Sequence, residues 1–231
     1  MILGQRRDLV FLILAMVFVT NAILGEVMGG KLIQVGQFTM SMGVLPWPIV
    51  FVLTDLTNEY FGTRGVRRLT FITVGLIIYA FIILFASMGI PAASFSPVQD
   101  SAYNAVFGQS LWIIVGSIIA FMVSQLVDVA IFWTFRNATG GKHLWLRATG
   151  STAVSQLIDT FVIMGIAFYL PGKITFDQFI NTSTTNYTYK FLIALCATPL
   201  IYLGHAIIDR FLGKNTSKEL ISEAAERGLK S

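Results

Sequence analysis

The sequence predicts an all-α integral membrane protein, a bundle of six transmembrane helices with both termini in the cytoplasm. Three observations predict it. The 231 residues are 55% hydrophobic and only 12% charged, with a mean hydropathy of +0.73, whereas an average soluble domain carries about 25% charged residues. Apolar runs recur along the chain, each near the ~20 residues that cross a bilayer. Finally, 13 of the 16 Lys and Arg residues fall on one side if six runs cross, the asymmetry that marks cytoplasmic loops. A soluble fold of this length could not cover so much apolar surface.

The first run, 9–27, follows Arg6 and Arg7. That arrangement resembles a signal peptide, but no small-x-small cleavage site follows it and further apolar runs do. It reads as an uncleaved first helix. The second run, 43–60, is opened by Pro46 and Pro48, where a missing backbone donor costs little. Arg64, Arg67 and Arg68 fill the connection to the third run, 69–89. The fourth is 109–135, and Arg136, Lys142 and Arg147 lead from it to the fifth, 148–170. The sixth, 190–212, contains Pro199, which removes a helical hydrogen bond and should kink it. After 213 the tail alternates charge with alanine, as a short amphipathic helix or a frayed end. Arg210, Lys214, Lys218, Arg227 and Lys230 complete the cytoplasmic set, and only Lys31, Lys173 and Lys190 oppose it. This topology accounts for the basic pI, so no nucleic-acid partner is expected. Residues 1–231 form one membrane domain of short connections, and the bilayer is its environment. Cys196 is the single cysteine, which rules out an internal disulfide. A homodimer is compatible with the sequence.

Against this apolar background some polar residues need a reason. Asp55, Glu59, Asp128 and Asp159 fall within predicted spans, where a central Asp costs about 2.5 to 3.5 kcal/mol on insertion scales. Asp55 and Glu59, four apart, share one helix face. Glu59 has two readings: a functional acid, or a surface partner for Arg64, Arg67 or Arg68. Residues 124–128 read SQLVD and 155–159 read SQLID. At 1.5 Å per residue Asp128 lies ~12 Å from Arg136, and Asp159 ~18 Å from Arg147. Half the hydrocarbon core is ~15 Å, so both acids sit near mid-membrane. The fourth and fifth helices run antiparallel, so Gln125, Asp128, Gln156 and Asp159 are expected to form one two-walled polar cluster. The alternative is that the amides only glue helices together.

Paired acids could also serve an intramembrane aspartyl enzyme, but neither Asp128 nor Asp159 has an adjacent glycine, and no enzyme is expected. His143, His205 and Cys196 lack metal-ligand spacing, and His205 reads as a satisfied helix residue. No Gly-rich phosphate loop or ATPase signature is present, so no cofactor is expected. Energy would have to come from an ion gradient, the substrate gradient or another subunit.

TDLTNEYFG at 54–62 with Arg67 and Arg68, YNAVFG at 103–108, the SQLVD and SQLID pair, and YTYKFLIALCATPLIY at 187–202 resemble the queuosine precursor transporter family, also called the vitamin uptake transporter family. The resemblance runs from Asn21 to about Asp209 in the same order. It implies a six-helix protein of the bacterial or archaeal cytoplasmic membrane that imports 7-deazaguanine precursors of queuosine, such as 7-cyano- or 7-aminomethyl-7-deazaguanine. It also implies a substrate site among Asn21, Asp55, Asn58, Glu59, Gln125, Asp128, Gln156, Asp159 and Lys190. Lys190 could instead snorkel at the interface. One carboxylate can accept both the ring N–H and the exocyclic NH₂ of a guanine-like edge, and Phe132, Phe161 or Tyr187 could stack on the base. If helices 1–3 and 4–6 form an inverted repeat, TDLTNE and SQLIDT take corresponding places. A substrate-binding subunit of an energy-coupling-factor type transporter is the alternative, to be told apart by partner ATPases.

The charge asymmetry makes a direct prediction. Cysteines placed at Ser101 and Asn181 should react with an impermeant thiol reagent from outside the cell, and one at Lys142 should not. Labelling of residue 142 from outside would overturn the topology.

Overall fold

The computed structural model describes residues 6–228, except 30, 36–37, 109–110 and 141–142. Lys142 and Lys230, counted above as cytoplasmic, lie outside the described residues. Among the described residues, five helices are long and apolar enough to cross a membrane, as an all-α membrane protein requires.

Helix α1 is Arg6–Met28. An antiparallel hairpin follows, β1 Leu32–Val35 and β2 Phe38–Ser41, with Leu32 opposite Ser41. The hairpin departs from the all-helical expectation, because four-residue strands are invisible to a search at the length of a membrane span. Helix α2, Trp47–Met88, begins between Pro46 and Pro48 as expected. Next, α3 is the short segment Asp100–Phe107, tied to α2 through Tyr103 and Ser87. Then come α4 Leu111–Ala138 and α5 Leu144–Met164, the latter running into a π-helical turn at Gly165–Tyr169. Helix α6 is Phe176–Leu212 and α7 is Lys214–Gly228.

Two boundaries differ from the sequence reading. The sixth run was expected to start at residue 190, but α6 starts at Phe176, where Thr175 and Gln178 form a reciprocal capping box. The polar turns 176–189 hid this start from hydropathy. The helix continues through Pro199. The connection expected between the second and third runs is not a loop either. Helix α2 has 42 residues, ~63 Å at 1.5 Å per residue, about twice the hydrocarbon thickness. It changes direction at Gly62 alone, whose φ of 68° and ψ of −174° are not helical. Only glycine adopts that combination readily. Arg64, Arg67 and Arg68 therefore stand on helix rather than on a loop.

The packing inverts that of a soluble protein. Leu12, Ile13, Met16, Phe71, Ile72, Ile82, Ile83, Leu192, Leu203 and Ile207 are exposed, while Thr54, Asp55, Thr57, Asn58, Glu59, Gln125, Asp128 and Gln156 are buried. Lipid solvates the first set, and the second must find partners inside. Helices α4 and α5 share the largest interface. Where α6 crosses α2, a Cβ on Gly204 would come within 2.6 Å of Leu56, so the absence of a side chain lets the helices approach.

The tail resolves as a helix. Ser217, Leu220 and Ala224 of α7 are buried, and α7 packs against α2 at the bend: a Cβ on Gly62 would lie 3.3 Å from the Ala224 carbonyl oxygen. Ser217 donates to Asp209, which also accepts from Tyr60 at 2.6 Å. His205 Nδ1 is 2.8 Å from the same Tyr60 hydroxyl, while its Nε2 is buried with no hydrogen-bond partner, so the expected satisfied helix histidine is met at one ring nitrogen and not at the other.

Gly62→Ala should therefore be costly. The backbone conformation alone is worth about 1–3 kcal/mol, and the added methyl presses on α7. A clear fall in the thermal midpoint in detergent is expected, and an unchanged midpoint would show that the bend tolerates a side chain.

Candidate functional site

One polar feature of the buried seam is an ion triad. Glu59 on α2 accepts from Arg147 Nη2 on α5 at 2.7 Å and from Arg136 Nη1 on α4 at 3.1 Å. The expectation of pairing with Arg64, Arg67 or Arg68 is corrected. Glu59 points across the bundle, and α4 and α5 bring it guanidiniums from the fourth connection. Both arginines also lie over rings, Arg136 over Trp133 and Arg147 over Phe132. A second Arg136 donor reaches the Ile221 carbonyl of α7 at 3.3 Å.

Beyond the triad the α2–α4 seam stays polar. Trp133 Nε1 donates to Asn58 Oδ1 at 2.9 Å, and Thr54 donates to Gln125 Oε1 at 3.2 Å. Asp55 and Asp128 lie between these two rungs. Asp128 accepts from Ser155 of α5 at 3.0 Å. Several buried atoms here have no partner: Asp55 Oδ1, Asp128 Oδ2, Thr57 Oγ1, Asn58 Nδ2, both amide atoms of Gln156, and Thr160 Oγ1.

Above this seam opens a cavity of about 530 Å³, walled by α1, α2, α4, α5 and α6, within the usual size of small-molecule sites. Trp47, Phe51 and Phe168 supply aromatic surface, and Glu26, Asp55, Ser117, Asp159, Thr160, Asn186, Tyr189 and Lys190 supply polar groups. Phe168 belongs to the π-helical turn, a deformation frequent at functional sites. Lys190 donates to Asp159 Oδ2 at 2.8 Å, both partly exposed to the cavity. Ser117 donates to Glu26 at 2.6 Å.

The structure thus divides the expected residues. Asp55, Asp159 and Lys190 line the cavity, while Asn58, Glu59, Gln125, Asp128 and Gln156 lie in the buried seam below it. Asn21 is in neither, because its amide donates to the Val17 carbonyl of its own helix at 2.8 Å. Of the expected cluster, Gln125, Asp128 and Gln156 share the buried seam, while Asp159 lines the cavity and pairs with Lys190. Antiparallel helices reverse the order of the two pentapeptides, so Asp128 meets Ser155, the first residue of the other copy. Asp159 then lies a turn farther along and turns to Lys190. The suggested stacking partners do not line the cavity either. Phe132 lies under Arg147, Phe161 is edge-on to Phe179, and Tyr187 stacks on Phe191.

Sequence reasoning missed Glu26, Asn186 and Tyr189. Glu26 lay inside the first predicted span and met the criterion that singled out the other acids. Asn186 and Tyr189 lay on the polar turns assigned to a loop.

A family model described as "Putative vitamin uptake transporter" matches residues 41–204, which hold every candidate above except Asn21 and Glu26. A Bacillus subtilis protein named "Probable queuosine precursor transporter" is 29% identical over 190 residues, 77% of each chain. A Haemophilus influenzae protein of the same name is 28% identical over 69% of this chain and 65% of its own. The Escherichia coli "Queuosine precursor transporter" is 24% identical over 68% of this chain and 69% of its own. No solved structure matches.

Glu59→Gln removes the charge that two buried guanidiniums share. Breaking a buried ion pair from one side costs about 3–5 kcal/mol, so the variant should unfold at much lower temperature in detergent. A wild-type midpoint would mean that Arg136 and Arg147 are held by something else.

Proposed function

This chain belongs to the vitamin uptake transporter family, and from that premise we propose that it imports 7-deazaguanine precursors of queuosine across a bacterial or archaeal cytoplasmic membrane. The cavity carries the reading. It has room for a bicyclic base and flat aromatic walls, and it offers both acceptors and a donor in Asp55, Asp159 and Lys190. A purine-like base is rich in hydrogen-bonding atoms that cannot be left unpaired in lipid. A carboxylate suits its N–H and NH₂ edge, and the Lys190 ammonium suits its carbonyl. The names of the three relatives agree with this substrate class. No chemistry on the base is needed, so the protein is a carrier and not an enzyme.

The finer topology belongs to the same proposal. The two arms of α2, meeting at Gly62, are read as two crossings, which gives six in all with both termini cytoplasmic. The triad and α7 then close the inner side, and the cavity faces outward. An inverted repeat would relate the α2 motif to the α5 motif, and both do border the same seam and cavity. The working unit could be one chain or a homodimer, since the cavity is built within one chain.

The test is growth of a host that lacks both precursor synthesis and its own importer. With this chain it should make queuosine in its tRNA at low external 7-cyano- or 7-aminomethyl-7-deazaguanine. No gain with either base would refute the substrate class. For the purified protein, Asp159→Asn replaces an acceptor with a donor and loosens Lys190. A buried mismatch of about 1–3 kcal/mol corresponds to roughly tenfold weaker binding per 1.4 kcal/mol. Wild-type affinity in folded Asp159→Asn protein would remove Asp159 from the site.

A further inference from the structure

The seam beneath the cavity does not balance its charges. It holds three carboxylates, Asp55, Glu59 and Asp128, and two guanidiniums, Arg136 and Arg147. Both guanidiniums are drawn to Glu59. Asp55 is 2% exposed and Asp128 4%, and each keeps one oxygen with no hydrogen-bond partner. The two acids occupy the same level. The Thr54–Gln125 bond lies on one side of them and the Asn58–Trp133 bond on the other, and Asp55 is within electrostatic reach of Asp128, Glu59 and Arg147. With both arginines engaged, one negative charge in this layer has no built-in counterpart.

A second observation points into the same place. Gln156 is buried, and neither its amide oxygen nor its nitrogen has a partner. Its neighbour Ser155 binds Asp128. Thr152 and Thr160, four residues to either side of Gln156, line the cavity with Asp55. Residues four apart share a helix face, so Gln156 lies on the face of α5 that Thr152 and Thr160 turn toward the cavity and Asp55, with an idle acceptor. Ionisable groups that pair across membrane helices commonly mark ion pathways.

We propose that Asp55 and Asp128, with Gln156 beside them, form a site for one monovalent cation, a proton or a sodium ion, that enters through the cavity and moves with the substrate. The other charged groups around the cavity supply no spare cation. On α1, Glu26 accepts from the neutral hydroxyl of Ser117 on α4 and adds a carboxylate; Asp159 of α5 and Lys190 of α6 neutralise each other. The cation site rests on the importer reading for its purpose but not for its composition. Asp55 belongs to both the cavity wall and the acid pair, so an empty cation site would lend its unpaired oxygen to the base differently from a filled one. That contact would couple the two ligands.

The test needs no substrate. Purified full-length protein in detergent is assayed for binding of radiolabelled sodium, and by infrared difference spectroscopy for a buried carboxylic acid C=O band. One of the two signals is expected, sodium binding for a sodium site and the carbonyl band for a proton. It should fall about tenfold or more in Asp55→Asn and in Asp128→Asn, and survive in Asp55→Glu. Absence of both signals in the wild type overturns the proposal whether or not the variants fold, and so does a signal retained in both Asn variants. In proteoliposomes, an inward gradient of the cation found should drive accumulation of 7-cyano-7-deazaguanine. A chain that binds the cation but carries no deazaguanine would keep this site and refute the substrate. A chain that exchanges the base with no cation signal would refute this site and leave the importer reading standing.

Discussion

Everything in this bundle answers to the Glu59 ion triad. A charged carboxylate in a membrane interior is costly, and a positive partner for it cannot come from the lipid chains. Arg136 and Arg147 come from two other helices, so the triad fixes how α2, α4 and α5 sit against one another. The fixed seam then dictates what lies along it. Thr54 meets Gln125, Asn58 meets Trp133, and Ser155 meets Asp128. Because Arg136 also reaches the Ile221 carbonyl, the same charge arrangement anchors α7.

The cavity is the complement of that closure. Where α2, α4 and α5 are tied together, no room is left for a ligand. Around the cavity, α5 and α6 are bridged by Asp159 and Lys190, and α1 and α4 by Glu26 and Ser117, with open space between these bridges. The bundle is thus dense and charge-locked at one end and open at the other. Such asymmetry is what one state of a carrier requires.

Much of this was legible in the sequence. The membrane class followed from composition, and the acids at 55, 59, 128 and 159 stood out because an intramembrane charge always needs a reason. The partners were not legible, since hydropathy gives depth but not rotation about a helix axis. Glu59 was set beside the arginines nearest in sequence, yet its partners are 77 and 88 residues away. The SQLVD and SQLID pair suggested a symmetric pocket, and antiparallel packing broke the symmetry by matching Asp128 to Ser155. Helix α6 was cut short at residue 190 because Asn186 and Tyr189, which line the cavity, made its outer turns look like loop. The residues that give a site its character also lowered the signal that would have located it.

The docking of α7 on the Gly62 bend has a consequence for how the molecule is made. The bend belongs to the first third of the chain, while the helix that covers it begins at Lys214. During vectorial synthesis α2 enters the bilayer long before its cover exists. The bend must therefore wait, uncovered, until almost the whole polypeptide has left the ribosome. Assembly of this bundle cannot finish one hairpin at a time in order of emergence. Its closing step joins an early turn to a late helix, so a ribosome that stalls before α7 leaves an inserted chain that has not matured.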